Sequence, residues 1–133
     1  MIFPELADLS DLALLALRVV LGAIFLVHGW PKLTGARGMA QAFGQANPGV
    51  IAFFTIQGLV ESAGGVAMAL GAGTQLVAIA FMVIMVGAIA LKNTMMKTGF
   101  TAQQTTGWEF DLALLAASFV ILTHGAGRFA LLP

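Results

Sequence analysis

Cysteine is absent from the 133 residues, which removes disulfides, thiolate nucleophiles, persulfide intermediates, iron–sulfur ligation and CxxC relays together. Charge is scarce too. Only 9% of the chain is Asp, Glu, Lys or Arg, where a soluble domain carries about a quarter. Six basic residues offset six acidic ones, so no overall field draws nucleic acid or another acidic polymer, and nucleic-acid binding is excluded as a function class. No basic stretch opens the chain either: Glu5, Asp8 and Asp11 precede the first apolar run without Lys or Arg. That is the reverse of a cleavable signal peptide, so the run is expected to remain as a helix.

What the sequence has in quantity is apolar surface. Hydrophobic residues make up 59% and mean hydropathy is +0.97, more than so small a globule can hide from water. The chain reads as an integral membrane protein and a single domain over residues 1–133. A spanning helix needs about 20 mainly apolar residues, and four stretches qualify: 11–30, 50–71, 74–91 and 108–125. Pro31 is expected to stop the first. The polar loop Lys32 to Gly49 that follows has room for a short interfacial helix around Met39 to Gln45. The second and third stretches are joined only by Gly71 to Gly73, so they form a tight antiparallel hairpin. The expected fold is all-α, a four-helix membrane bundle in up-down-up-down order, with no internal repeat standing out.

Basic residues orient it. Lys32, Arg37, Lys92 and Lys97 lie in the two long loops, whereas Arg128 is alone on the other side. This bias places the loops in the cytoplasm and both termini outside. Trp30 and Trp108 suit one shared interface.

Two charges fall within apolar stretches, where each is costly and needs compensation. Arg18 lies in the first and Glu61 in the second; antiparallel helices would bring them to similar depth, so an Arg18–Glu61 ion pair is expected. Gln57 lies one turn before Glu61 on the same face. The pair either lines a polar pocket or holds the helices in register. Gly22, Gly58, Ser62, Gly64 and Gly65 alongside serve close helix approach or leave room for a flat ligand.

Glu109 and Asp111 open the fourth stretch. Two residues apart on a helix, they point to nearly opposite faces, so one looks inward and they do not form a cooperating dyad. Either is also favoured simply as a charge near a helix N-terminus. With His28, Lys32, Lys92 and Asn93 at the same membrane side, the inward carboxylate completes a proton-accessible polar cluster. His28 and His124 close opposite ends of their helices, too far apart for haem within one chain, so each is read as an interfacial or pocket hydrogen bonder, with haem shared between protomers as the alternative. Met82, Met85, Met95 and Met96 are read as packing or lipid-facing side chains, not metal ligands. The third stretch, uncharged, is expected to be the most exposed to lipid or a partner.

Several motifs run in order along nearly the whole chain: Leu17-Arg18-Val19-Val20-Leu21-Gly22, Phe25-Leu26-Val27-His28-Gly29 with Lys32-Leu33, Glu61 with Gly64-Gly65, Leu70-Gly71, Gly107-Trp108-Glu109-Phe110-Asp111, and Gly125-Ala126-Gly127-Arg128-Phe129. In these the chain resembles the DoxX family of small bacterial and archaeal membrane proteins, named after a subunit of an archaeal thiosulfate:quinone oxidoreductase. The resemblance implies a four-helix membrane fold and a quinone-linked role. Sulfur chemistry would fall to a partner subunit, since this chain has no thiol.

The expected function is a membrane subunit holding a quinone, with no metal or haem. Glu61, Arg18 and Glu109 are the candidate catalytic residues; Arg18, Gln57, Glu61, His28 and Asp111 are the candidate ligand contacts. Arg18 would stabilise oxyanion charge and Glu61 would carry the proton. Expected partners are membrane lipids and either a redox subunit or further copies of the chain, in a bacterial or archaeal cytoplasmic membrane. The rival reading is a non-catalytic anchor or assembly module; a third is a small-solute or proton carrier.

Overall fold

The computed structural model describes all 133 residues. It is all-helical: a 3₁₀ turn at Pro4–Leu9, then α1 (Ser10–Thr34), α2 (Ala36–Ala42), α3 (Pro48–Leu70), α4 (Thr74–Thr94) and α5 (Trp108–His124). Three segments, Pro4–Thr34, Pro48–Leu70 and Thr74–Thr94, are long and apolar enough to cross a membrane. α5 has 17 residues, a length of about 25 Å.

Capping explains the sharpest boundaries. Asn47 Oδ1 accepts the Val50 amide at 3.0 Å, with Pro48 in the first turn of α3. This satisfies a free donor at a position where proline loses nothing. At the other end Gly71 adopts φ +78°; Ala72 N donates to Ala67 O at 2.8 Å and Gly71 N to Met68 O at 3.2 Å. These two bonds form a Schellman stop and turn the chain directly into α4.

The expected stop at Pro31 does not occur: α1 continues through it to Thr34. Proline forfeits one amide bond, but Thr34 Oγ1 donates to Trp30 O at 2.9 Å and Gly35 N to Pro31 O at 2.8 Å, which holds the last turn together. The short loop helix also falls earlier than expected, at Ala36–Ala42.

The long helices form two hairpins. α1 lies closest to α3, and α4 closest to α5. Their shared core is Leu21 and Phe25 from α1, Met68 from α3, Ala78, Phe81 and Met85 from α4, and Leu114 and Ile121 from α5. Phe81 joins the hairpins: its ring stacks on Phe25 at 3.5 Å and lies over Gly64 of α3. Met85 is thus a packing residue, while Met95 and Met96 are exposed. Only 23 of 133 residues are buried, and large hydrophobic residues cover the outside of every long helix. Such an exterior is stable in lipid and not in water; the chain is a membrane protein.

The α1/α3 seam is made of glycine. A Cβ on Gly65 would come within 2.6 Å of Gly22 O, and one on Gly58 within 2.8 Å of Gly29 O. Gly22 and Gly29 are seven apart, as are Gly58 and Gly65, so two helical turns of backbone approach closely on one face. Their pairing fixes the register, with residue numbers facing across the seam summing to about 87.

The two hairpins share a burial plan that residue identity hides. Arg18, Leu21, Phe25 and Lys32 of α1 correspond, sixty positions on, to Ala78, Phe81, Met85 and Lys92 of α4; the first three of each set are buried. Glu61 of α3 corresponds, fifty positions on, to Asp111 of α5, and both are buried.

Candidate functional site

Two lysine–carboxylate pairs lie at the end of the helices that carries the long loops. In the first hairpin, Lys32 Nζ donates to both oxygens of Glu61, at 2.7 and 2.6 Å. Gln57 Nε2, one turn before Glu61, donates to the same carboxylate at 2.9 Å. Glu61 is 1% exposed and Lys32 19%. The geometry follows from the seam: Gly29 and Gly58 bring the backbones together, and the extra turn of α1 past Pro31 places Lys32 within reach. Lysine has three donors, and two are spent on Glu61.

In the second hairpin, Lys92 Nζ donates to Asp111 Oδ2 at 2.6 Å and to Thr106 Oγ1 at 2.9 Å. Asp111 sits in the first turn of α5, where the helix dipole stabilises a carboxylate. Phe100 O and Gly99 O from the preceding loop take the Glu109 and Trp108 amides at 3.1 and 3.3 Å, anchoring that turn. As expected from their spacing, the two carboxylates diverge: Asp111 is buried and Glu109 exposed.

The expected Arg18–Glu61 ion pair is not formed. By the seam register Glu61 stands level with Leu26, eight residues beyond Arg18, an axial separation of about 12 Å. Arg18 belongs to the opposite end, beside the α3–α4 turn. There it is fully buried, and Nη2 donates to Phe129 O at 3.0 Å. Its Nη1 lies against Gly71, where any Cβ would collide with it. Arg18 therefore shares no site with Gln57 and Glu61.

The expected polar cluster divides likewise. Lys32 and Lys92 each hold a different carboxylate, and Asn93 Nδ2 turns back to Ile89 O at 2.9 Å. His28 is on the outside of α1, its ring 5.6 Å from that of Phe110. His124 is exposed at the far end of α5 and hydrogen-bonds only locally, with Thr123 and Val120 O. Lys92 meets the inward carboxylate of the expected cluster, whereas the pairing of Lys32 with Glu61 is not expected from the sequence. A shared signal is present: each lysine lies two residues before the end of its helix, which closes on a threonine.

A shallow apolar groove lined by Leu26, Val27, Trp30 and Pro31 runs along the outside of α1 at the depth of Glu61. The site thus combines a buried carboxylate, two side-chain donors and an apolar surface nearby.

The DoxX family model matches residues 13–96 of this chain. A Bacillus subtilis (strain 168) protein named "Putative oxidoreductase CatD" is 33% identical over 124 residues, covering 92% of this chain and 87% of that protein. No solved structure matches the chain.

Proposed function

The chain belongs to the DoxX family, and from that membership and its buried charges we propose that it is the membrane subunit of a quinone-linked oxidoreductase. The observation that carries this reading is the Lys32–Glu61–Gln57 group, a carboxylate inside an apolar protein with a proton-bearing ammonium beside it. Ionisable groups at membrane depth are expensive and tend to mark proton or ligand paths. The similarity to a protein named as an oxidoreductase is consistent with it.

A quinone accepts two electrons and two protons when reduced, and needs donors at its carbonyl oxygens. The residues present fit that demand. Lys32 keeps one N–H beyond the two on Glu61, free to donate to a carbonyl oxygen. Glu61 accepts and returns a proton while Gln57 holds its carboxylate in place. Asp111 with Lys92 offers a second exchange point nearer the loops. The groove of Leu26, Val27, Trp30 and Pro31 suits an apolar tail. Electrons come from a partner subunit.

In this reading α5 is a fourth span, giving an up-down-up-down bundle in the bacterial or archaeal cytoplasmic membrane, with the lysine-bearing loops inside. A C-terminal alkaline phosphatase fusion should then be active.

The rival reading, a packing module, draws on the fact that each lysine–carboxylate pair bridges two helices of one hairpin. Glu61→Gln separates the two. In the reconstituted complex the quinone site predicts a folded, inserted protein whose quinone-linked turnover falls at least about a hundredfold, in line with loss of a general acid–base group. Full turnover in that variant rejects the proposal, and loss of assembly favours the packing role.

A further inference from the structure

The third buried charge site has no acid. Glu61 and Asp111 each hold a lysine at 2.6 Å, but Arg18, 0% exposed, has one hydrogen bond, to a backbone carbonyl. Its Nε and Nη1 are buried without partners. A guanidinium carries five donors, so most of its capacity is unmet in a setting where unmet capacity is costly. The hairpin plan does not require it, because the corresponding position of α4 is Ala78, equally buried.

What covers Arg18 is the C-terminal segment, residues 125–133. It folds back from α5: Phe129 O accepts from Arg18, Arg128 N donates to Asp11 Oδ1 at 3.0 Å, and Leu131 N and Leu132 N donate to Leu70 O and Gly71 O at 3.1 and 3.2 Å. Beyond these bonds and the exposed Arg128–Asp11 ion pair, little holds it. Ala126 is its only buried residue, and Leu131 and Leu132 are 68% and 67% exposed. Gly125 and Gly127, both at positive φ, give it two pivots where it leaves α5. A segment with so little buried apolar surface is at the low end of local stability.

We propose that Arg18 is the binding group of an oxyanion site, and that the 125–133 strap closes it. The ligand is an oxyanion, carboxylate or phosphate in kind, with several acceptor oxygens to meet the free Nε–H and Nη1–H groups. It replaces the single carbonyl bond from Phe129 when the strap swings out about Gly125 and Gly127. The shared chemistry has two sources, a soluble anion arriving from the aqueous side or the headgroup of an anionic phospholipid. This site is independent of the Glu61 group at the other end.

The full chain in mild detergent tests this with inorganic phosphate as the soluble probe, by calorimetry, and phosphatidylglycerol as the lipid probe, by native mass spectrometry. The expected result is one bound phosphate or one retained phosphatidylglycerol per chain, lost at least tenfold in affinity in Arg18→Gln. Hydrogen exchange at the Leu131 and Leu132 amides should accelerate on binding. Asp11→Ala removes the acceptor of both the Arg128 amide and the Arg128 guanidinium, frees the strap without touching Arg18, and should tighten binding at least threefold, since affinity scales with the open fraction. Phosphate uptake assigns the site to a soluble anion, and lipid retention to a headgroup. Binding of neither probe overturns the proposal, as does equal binding in Arg18→Gln. Should that variant not fold, unchanged affinity in Asp11→Ala is the overturning result.

Discussion

The two hairpins solve one problem with different chemistry. Each buries a carboxylate on its second helix against a lysine from the end of its first, at the same end of the molecule. In α1/α3 the carboxylate sits well inside the helix and depends on side chains alone, Lys32 and Gln57, across a seam of glycines. In α4/α5 it sits in the first turn, where the α5 dipole shares the compensation, and Ala78, Phe81, Leu114 and Ile121 fill the interior. A carboxylate far from a helix terminus therefore demands closer backbone approach and more partners than one at a terminus.

The largest effect that would sharpen this contrast is Lys32→Met, which strands Glu61 without its cation. Breaking a buried pair by removing one member costs about 3–5 kcal/mol, and the double variant Lys32→Met/Glu61→Leu should recover most of that loss in denaturant-unfolding measurements in detergent. Next is the seam: Gly65→Ala places a Cβ 2.6 Å from Gly22 O, and overpacking against rigid backbone should cost about 2–3 kcal/mol. An unchanged unfolding midpoint would show that the helices are not held at that distance. Lys92→Met should cost less than Lys32→Met, about 2 kcal/mol, because the α5 dipole still favours Asp111. Equal losses at the two lysines would break the comparison. Smallest is Arg128→Ala, since the Arg128–Asp11 pair is 3.6 Å apart and well exposed, and such pairs are worth less than about 1 kcal/mol.

Much of this was legible in the chain. The tight turn at Gly71–Gly73 followed from the lack of linker residues, although α3 packs mainly on α1 and α4 on α5, and the divergence of Glu109 and Asp111 followed from helical period. Helix register is not legible in the same way. Depth estimated from position within an apolar run put Arg18 level with Glu61, because the run carries no mark of how far one helix slides against the next. The mark was elsewhere, in Gly22 and Gly29 matched to Gly58 and Gly65 at a spacing of seven, and it becomes a distance only once backbones are in contact. Pro31 misled for a related reason: proline weakens a helix locally, but threonine and the lysine–glutamate pair just beyond it keep the final turn. The correspondence between hairpins is invisible in the sequence because it is kept in burial pattern and charge placement, with almost no identical residues.

The sequence by itself determined the solvent and the building units: with 59% hydrophobic residues, 9% charged and no cysteine, the chain makes apolar helices in lipid and carries no thiol chemistry. Composition and periodicity are local properties, and they are sufficient for that. Which charge meets which was decided only by the tertiary structure. Lys32 rather than Arg18 neutralises Glu61 because glycine–glycine contact sets the α1/α3 register, and Arg18 is left to the C-terminal strap because that same register carries it to the opposite end.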